Sequence, residues 1–355
     1  MNAPDVFDVM IIGLGPAGST LARLLTGKKV LCLDKKTFAP GGLEKPCGGL
    51  LAPDAQKTLA RFDLTLPKSV LVDPQLFSVR TLDLATGLCR HYQRFYVNMD
   101  RTAFDKWLIS LIPSSVQVQT GVQVAGMARR EDGSFQVTYL QNGQPRTALA
   151  KCVVGADGAD SLVRRTFFPH HKIRSYVAMQ QWFKETHKSP FYSCIFDPQN
   201  TDCYSWSVSK DGYFIFGGAY PLQNCRQRFE NQKKALEARG FQFGTPVKTE
   251  ACRVLRPGGW SEFCLGKNGV FLIGEAAGLI SPSSLEGISS AMLSALCLAE
   301  AFKASAAARH RRYARATLGL RLKLWGKLLK CPFMYQPILR KWIMQSGVQS
   351  ITVIS

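Results

Sequence analysis

An apolar run at Val9–Ile12 meets a glycine-rich turn, then a helix-period stretch, then a second apolar run that ends in Asp34. Two apolar runs around one amphipathic segment predict a strand–turn–helix–strand unit, the opening of an α/β fold. A glycine- and proline-rich loop follows over residues 35–49, too long and aperiodic to be an idle connection. Residues 76–93 alternate around an Ala85-Thr86-Gly87 turn, which predicts a hairpin. Asp100 is placed to cap a helix on which Phe104, Trp107, Leu108 and Leu111 share one face. Short strands are expected at 116–124, 134–140 and 147–154, with Asn142-Gly143 as the hairpin turn before the last. From 175 to 252 the pattern is strand-rich and aromatic, with a basic helix inserted at 226–239. A buried strand at 270–273 leads through Gly274-Glu275-Ala276-Ala277-Gly278 to a long helix of small residues ending near Phe302.

These elements predict two interleaved lobes. Residues 1–65, 98–169 and 256–303 form a Rossmann-like dinucleotide-binding domain. Residues 66–97 and 170–255 form a mixed β-sheet substrate domain over it, and 304–355 form a basic amphipathic helical C-terminal region. The fold class is α/β.

Composition changes this picture in two places. The 355 residues are 46% hydrophobic, enough for a sizeable core and against general disorder. The formal charge of +20 is unevenly spread: no acid follows Glu300, while 11 Lys and Arg lie between Lys303 and Lys341. That asymmetry calls for an anionic partner, a membrane surface or a nucleic acid. On a helical wheel Leu318, Leu322, Trp325 and Leu329 cluster, opposed by Lys323, Lys327 and Lys330. A basic amphipathic segment with Trp suits the membrane interface; the plain alternative is a helix packed on the protein with a solvated basic face. Nucleic acid is disfavoured, because no aromatic–basic platform accompanies the charge.

The 11 cysteines show no C-x-x-C pair, and the chain opens straight into a strand without a signal pattern, so they are expected to be reduced in a cytoplasmic protein. Any membrane contact would then be peripheral, on the inner face. No apolar run is long enough to span a bilayer. The five histidines, at 91, 170, 171, 187 and 310, have no metal-ligand spacing, and no metal is expected.

The candidate chemistry begins at Gly13, Gly15 and Gly18, in G-x-G-x-x-G spacing between strand and helix. The first glycine allows the turn, the second lets a pyrophosphate approach, and the third lets helix and strand pack closely. Asp34, 19 residues past Gly15, can accept hydrogen bonds from a ribose hydroxyl. With strand, helix and acid in place, the unit predicts dinucleotide binding.

Three glycine motifs in order, GLGPAG, GADGADSLVR and GEAAG, resemble the FAD-dependent fold shared by aromatic hydroxylases and geranylgeranyl reductases. The KPCGG loop, VNMDRTAFDKWL, YSW followed by KDGYFIFGGA, and LEGISSAM are similar to the geranylgeranyl reductase branch, nearest the bacterial CbrA-type flavoproteins. The resemblance implies that Gly13, Gly15, Ala17 and Gly18 hold the FAD pyrophosphate and Asp34 the adenosine ribose. Cys47 and Gly48 would line the flavin, Arg101 would reach the phosphates or ribityl chain, and Val124 would meet the adenine end through its backbone. Asp157 and Gly158 would close the site, and Gly287 and Ile288 would offer amides to the N1–C2 edge of the isoalloxazine. Glu275 stands where the family usually has Asp at a ribityl hydroxyl. Of the family's P-x-x-Y-x-W-x-F-P substrate motif only Tyr204 and Trp206 survive.

The implied activity is reduction of carbon–carbon double bonds in a polyprenyl or other isoprenoid lipid by hydride from reduced FAD. The flavin would be re-reduced by NAD(P)H or a protein electron donor. Cys47 is the candidate proton donor; the plain alternative is a small residue fitting a tight glycine loop. Tyr204 and Trp206 would line an apolar substrate tunnel, or else be simple core. Two rival functions stand beside this one: a flavin monooxygenase of a small apolar or aromatic substrate, and a non-catalytic flavin- or lipid-binding protein.

Overall fold

In the computed structural model, which describes residues 6–38, 45–186 and 191–354, the organising layer is a six-stranded sheet. Its order is Gly266–Lys267, Val270–Leu272, Val153–Gly155, Val9–Ile12, Val30–Asp34 and Gln117–Thr120, with only the first strand antiparallel to its neighbour. All four residues of Val9–Ile12 are buried because both faces of the sheet are covered. Val9 and Ile11 face the helices Pro16–Leu24 and Ile288–Ala301, packing with Leu21, Ala295 and Leu298. Met10 and Ile12 face the other way, toward Val137 and Tyr139. Those two belong to a four-stranded sheet ordered Val6–Phe7, Gln144–Ala150, Phe135–Gln141 and Gln123–Arg129. Each such buried aliphatic side chain contributes about 1.5–3 kcal/mol.

Two expected strands are divided. Residues 116–124 break at Gly121, whose φ of +70° turns the chain from the parallel sheet into the four-stranded one. Residues 147–154 break at Lys151 and Cys152, so that Gln144–Ala150 and Val153–Gly155 serve different sheets. In both cases the hydrophobic run is continuous but the layer it covers changes. The hairpin turn does form, with Asn142 and Gly143 at φ +51° and +75°.

Over this core lies a nine-stranded sheet ordered Lys248–Leu255, Ser175–Lys184, Tyr213–Tyr220, Tyr204–Lys210, Tyr192–Phe196, Leu76–Asp83, Cys89–Asn98 and Ser350–Ile351, with Leu50–Leu51 also pairing to Cys89–Asn98. The helix Cys225–Glu237 covers one face, burying Phe229 and Leu236 against Phe183 and Phe216.

The C-terminal region departs from a single amphipathic helix. It runs as Ala306–Ala316, Leu318–Gly326, Cys331–Tyr335 and Pro337–Ser346 before Ser350–Ile351 joins the large sheet beside His91 and Tyr92. Tyr313, Leu324, Arg340 and Met344 are buried, and Arg340 pairs with Asp83 at 2.8 Å. Lys327 turns inward to Asp54 at 3.4 Å, and Lys323, itself exposed, reaches the same carboxylate at 2.9 Å, while Leu318, Leu322, Trp325 and Leu329 face solvent. Among the described residues no helix is long and apolar enough to cross a membrane.

Candidate functional site

The glycine turn divides its labour sterically. Gly13 sits at φ +96°, where a side chain would meet Ala156 O at 2.6 Å, and a Cβ on Gly18 would lie 1.8 Å from Gly13 O. A Cβ on Gly15 meets nothing within 4 Å. The middle glycine thus leaves an open face at the start of Pro16–Leu24, whose N-terminus has no side-chain cap. Ala17 is buried in that first turn, close to Gly274. Open space, uncapped amides and a helix dipole suit a pyrophosphate.

Asp34 is buried at the strand end, where it accepts hydrogen bonds from the amides of Leu14 and, at 2.7 Å, Lys36. Val122 N donates to Asp34 O at 3.0 Å, and Val124 follows two residues further on, in the strand Gln123–Arg129 of the four-stranded sheet. Lys36 Nζ reaches Leu14 O at 3.2 Å and Asp105 at 2.8 Å. Asp105 also accepts from Arg101 Nε at 2.9 Å. Burial pushes the Asp105 carboxyl up, but the Arg101 and Lys36 cations outweigh it and hold the group below its ordinary value. One buried carboxylate therefore ties Lys36, beside Asp34, to Arg101. Asp105 was not singled out from sequence; its i+4 spacing from Arg101 on a capped helix is the signal that could have found it.

The second and third motifs close over the first. Asp157 Oδ2 accepts from the amides of Leu162 and Val163 at 2.7 and 3.2 Å, while Oδ1 is buried without a partner among the described residues. Burial raises the Asp157 pKa. Gly158, at φ +75°, lies next to Glu275 and Lys45. Glu275 turns one oxygen to Leu255 N at 3.0 Å and the other to Lys45 at 2.6 Å. A ribityl hydroxyl would have to share that carboxylate with Lys45, so the extra methylene relative to Asp is taken up by two protein partners. Gly287 and Ile288 open the helix Ile288–Ala301 with no side-chain cap, leaving its positive end available. The preceding loop is held by Ser281 N to Glu286 O at 3.0 Å and carries Leu285 at φ +54°, an unusual conformation for a bulky residue.

Of the loop at 35–49, residues 39–44 lie outside the described residues. Cys47 Sγ accepts from Gly49 N at 3.4 Å and lies beside Arg101. A Cβ on Gly48 would sit 3.4 Å from Trp206 Nε1, so this loop rests against the aromatic strand. Tyr204, Trp206 and Val208 share one face, with the Tyr204 and Trp206 rings 6.0 Å apart, and Tyr204 OH donates to Ser284 O at 2.7 Å. Trp206 Nε1 is buried and has no hydrogen-bond partner among the described residues.

A cavity of about 140 Å³ opens here, bringing Cys47 and Arg101 together with Gln180, Trp182, Lys210 and Glu250. Sequence reasoning missed the last four. It also missed Glu286, whose carboxyl burial pushes up and which lies near Tyr96. Lys210 is buried, and burial pulls its ammonium down to about 8. Among the described residues no His, Cys, Asp and Glu cluster could hold a metal; His187 lies outside them. All 11 cysteines are free.

The chain is 54% identical over 347 residues to protein CbrA of Escherichia coli, a match covering 97% of this chain and 94% of that protein. It belongs to the CbrA family. CbrA of Shigella flexneri matches with the same identity and coverage. No family model matches the chain. A geranylgeranyl bacteriochlorophyll reductase-like protein from Thermoplasma acidophilum superposes on this CbrA-family fold with a TM-score of 0.70 at 20% identity, covering 98% of this chain and 89% of the other. PqsL of Pseudomonas aeruginosa, a probable FAD-dependent monooxygenase, gives 0.69 at 16% identity over 96% and 100%. The fold is therefore the Rossmann-like flavoprotein fold with an added substrate domain. Reductase-like proteins and monooxygenases share it, so it selects neither chemistry.

Proposed function

We propose that the chain is an FAD-dependent oxidoreductase that saturates carbon–carbon double bonds of an isoprenoid or similarly apolar substrate. The carrying observation is the contact of the Cys47-Gly48 loop with Trp206, which joins the cofactor cradle to an aromatic face. The residues present fit FAD: the open face at Gly15, the unpartnered Asp157 Oδ1 and the uncapped helix at Gly287 match its pyrophosphate, ribityl and isoalloxazine ends. Reduced FAD, when bound, supplies the hydride. NAD(P)H or a protein donor restores it.

The protein's own work is positional. An unactivated alkene gives no stabilised anion, so Tyr204 and Trp206 must hold the chain at contact distance and keep water away. Hydride adds to one alkene carbon, and the Cys47 thiol gives its proton to the other; water then reprotonates the thiolate. Arg101, fixed by Asp105, anchors the cofactor's polar chain.

A second reading rests on the cavity itself. With Lys210, Gln180 and Glu250 beside Cys47 and Arg101 in its wall, it offers polar partners that a small polar or aromatic substrate can use and a polyprenyl chain cannot. That favours an oxygen-using monooxygenase, as PqsL is described. The experiment is anaerobic: reduce the bound flavin chemically, add polyprenyl lipids and follow the flavin spectrum. Reoxidation without oxygen, with the lipid gaining two hydrogens by mass, supports the reductase. A flavin that stays reduced until air enters, then yields product oxygen derived from air, supports the monooxygenase. A protein that holds no flavin would leave the binding-protein reading.

A further inference from the structure

The C-terminal helices carry large apolar side chains on their outer side. Trp325 is 46%, Leu329 71%, Phe333 53%, Ile338 68% and Trp342 64% exposed. This is not a loose tail, because buried Arg340, Met344 and Leu324 fix the helices to the body. The outward apolar side is thus a built surface, and exposed apolar patches of this kind mark interaction sites.

A second region adjoins it. Lys323 and Lys327 grip Asp54 at the start of the helix Pro53–Arg61, and Gln56 of that helix donates to Phe95 O at 2.6 Å. Phe95 is 60% exposed, and Phe77, 70% exposed, lies on the paired strand at the same bulge. The two regions therefore border one corner of the molecule. Beneath it lies Glu286, near Lys327, Asp54 and Tyr96.

The charged side chains of the C-terminal helices are all cationic, and Asp54 at the edge of the corner is held by Lys323 and Lys327. Lys330 and Lys341 are exposed among the apolar residues, and no acid follows Glu300. An isologous contact with a second copy would set those cations against themselves. We propose that this corner docks on the surface of an anionic lipid bilayer. The Trp and Leu side chains enter the headgroup–acyl boundary, and Lys330 and Lys341 pair with lipid phosphates. Docking is a property of this outer corner alone. It requires no turnover, so it stands or falls apart from the oxidoreductase reading.

The test is co-sedimentation of the full chain with vesicles of phosphatidylcholine and phosphatidylglycerol, against phosphatidylcholine alone. The protein is expected to pellet with the anionic vesicles and to bind neutral ones about tenfold or more weakly. Trp325→Ser with Trp342→Ser, and separately Lys330→Glu with Lys341→Glu, should each cost a similar factor. These side chains are exposed, so an unchanged circular dichroism spectrum and thermal midpoint will confirm folding. No pelleting with anionic vesicles at low salt would overturn the proposal, as would variants that bind like the parent. Sedimentation velocity showing a lipid-free dimer that the Trp double variant disperses would assign the face to a second copy instead.

Discussion

Lys210, at the end of an inner strand of the large sheet, donates its ammonium to the carbonyl of Gly49 at 3.0 Å, 161 residues away in sequence. The same nitrogen donates to Met99 O at 2.8 Å and to Asn98 Oδ1. All three ammonium hydrogens are therefore committed, and they fasten the Cys47-Gly48-Gly49 loop to the substrate sheet. Gly49 is at φ +63°, and a side chain there would lie 2.4 Å from Met99 O, so the loop passes too close for any other residue.

Replacing Lys210 with Met removes a donor from three oxygens, of which Gly49 O alone keeps another, Met99 N at 2.9 Å, among the described residues. A loss of about 1–3 kcal/mol in stability is expected, with FAD affinity reduced about tenfold as the loop loosens. The wild-type protein should show a related pH effect. Burial pulls this ammonium down to about 8. As pH rises through that value the amine loses a donor, and flavin affinity should fall. The stability term has the opposite sign: the unfolded lysine keeps its proton to about 10.4, so deprotonation of the folded form favours folding in that window. A titration of FAD binding alongside thermal midpoints separates the two. Falling affinity with a steady or rising midpoint is the expected signature; parallel loss of both would count against it.

The glycine turn predicts contrasting outcomes from one added methyl group. Gly18→Ala places a Cβ 1.8 Å from a backbone oxygen, and a destabilisation of about 3 kcal/mol or more is expected. Gly15→Ala meets open space, so the thermal midpoint of the flavin-free protein should hardly move. Its FAD affinity should nonetheless fall, because the methyl occupies the approach of the pyrophosphate. Calorimetry with and without FAD reads both; an unaffected affinity in Gly15→Ala would place the pyrophosphate elsewhere.

The difference between these two sites explains what was legible in the sequence. Gly13, Gly15, Gly18 and Asp34 form one local unit whose spacing is set by a single turn and helix, so the residues announce their geometry. Asp100 as a cap is equally local, accepting from Ala103 N. Lys210 ends a strand on which Ser205, Ser207 and Ser209 mark one face as polar, but it lies on the other face, with Tyr204, Trp206 and Val208. Both faces are buried there because the helix Cys225–Glu237 covers the serines and the Gly49 loop covers the lysine. Such coverage comes from remote parts of the chain and leaves no periodic trace. The breaks at Gly121 and at Lys151–Cys152 escaped notice for a related reason: hydrophobicity reports that a residue is covered, not by which sheet. The C-terminal stripe of Leu322, Trp325 and Leu329 was visible as a pattern, but only the burial of Leu324 and the reach of Lys327 to Asp54 show which side faces inward.

Cys47 and Glu286 make competing claims to the proton in the proposed reduction. Cys47 lies on the loop against Trp206, whereas the Glu286 carboxyl, pushed up by burial, holds its proton to higher pH than an ordinary glutamate. Cys47→Ala is expected to slow turnover about a hundredfold or more while leaving flavin binding intact. Glu286→Gln should alter turnover far less. Single-turnover oxidation of reduced flavin by substrate measures both, and the reverse ranking would move the proton donor to Glu286.

Arg340 and Asp83 test whether the C-terminal helices are part of the fold. Their side chains are 5% and 0% exposed, and Arg340 also donates to Met334 O at 2.7 Å and lies 4.6 Å from the Phe196 ring centroid. Asp83 has further partners in Ala85 N and Thr86 Oγ1, which hold the hairpin turn. Arg340→Ala removes the only cation paired with this carboxylate among the described residues, and a buried charge left without its counterion costs about 3–5 kcal/mol. The turn's own hydrogen bonds should keep the loss near the lower figure. Asp83→Asn preserves the shape without the charge and leaves Arg340 unpaired instead, so the double variant should lose less than the sum of the two singles. Urea denaturation of the four proteins gives the coupling. A cooperative transition in each, with additive losses, would mean that the helices from Ala306 onward contribute their contacts independently of this pair.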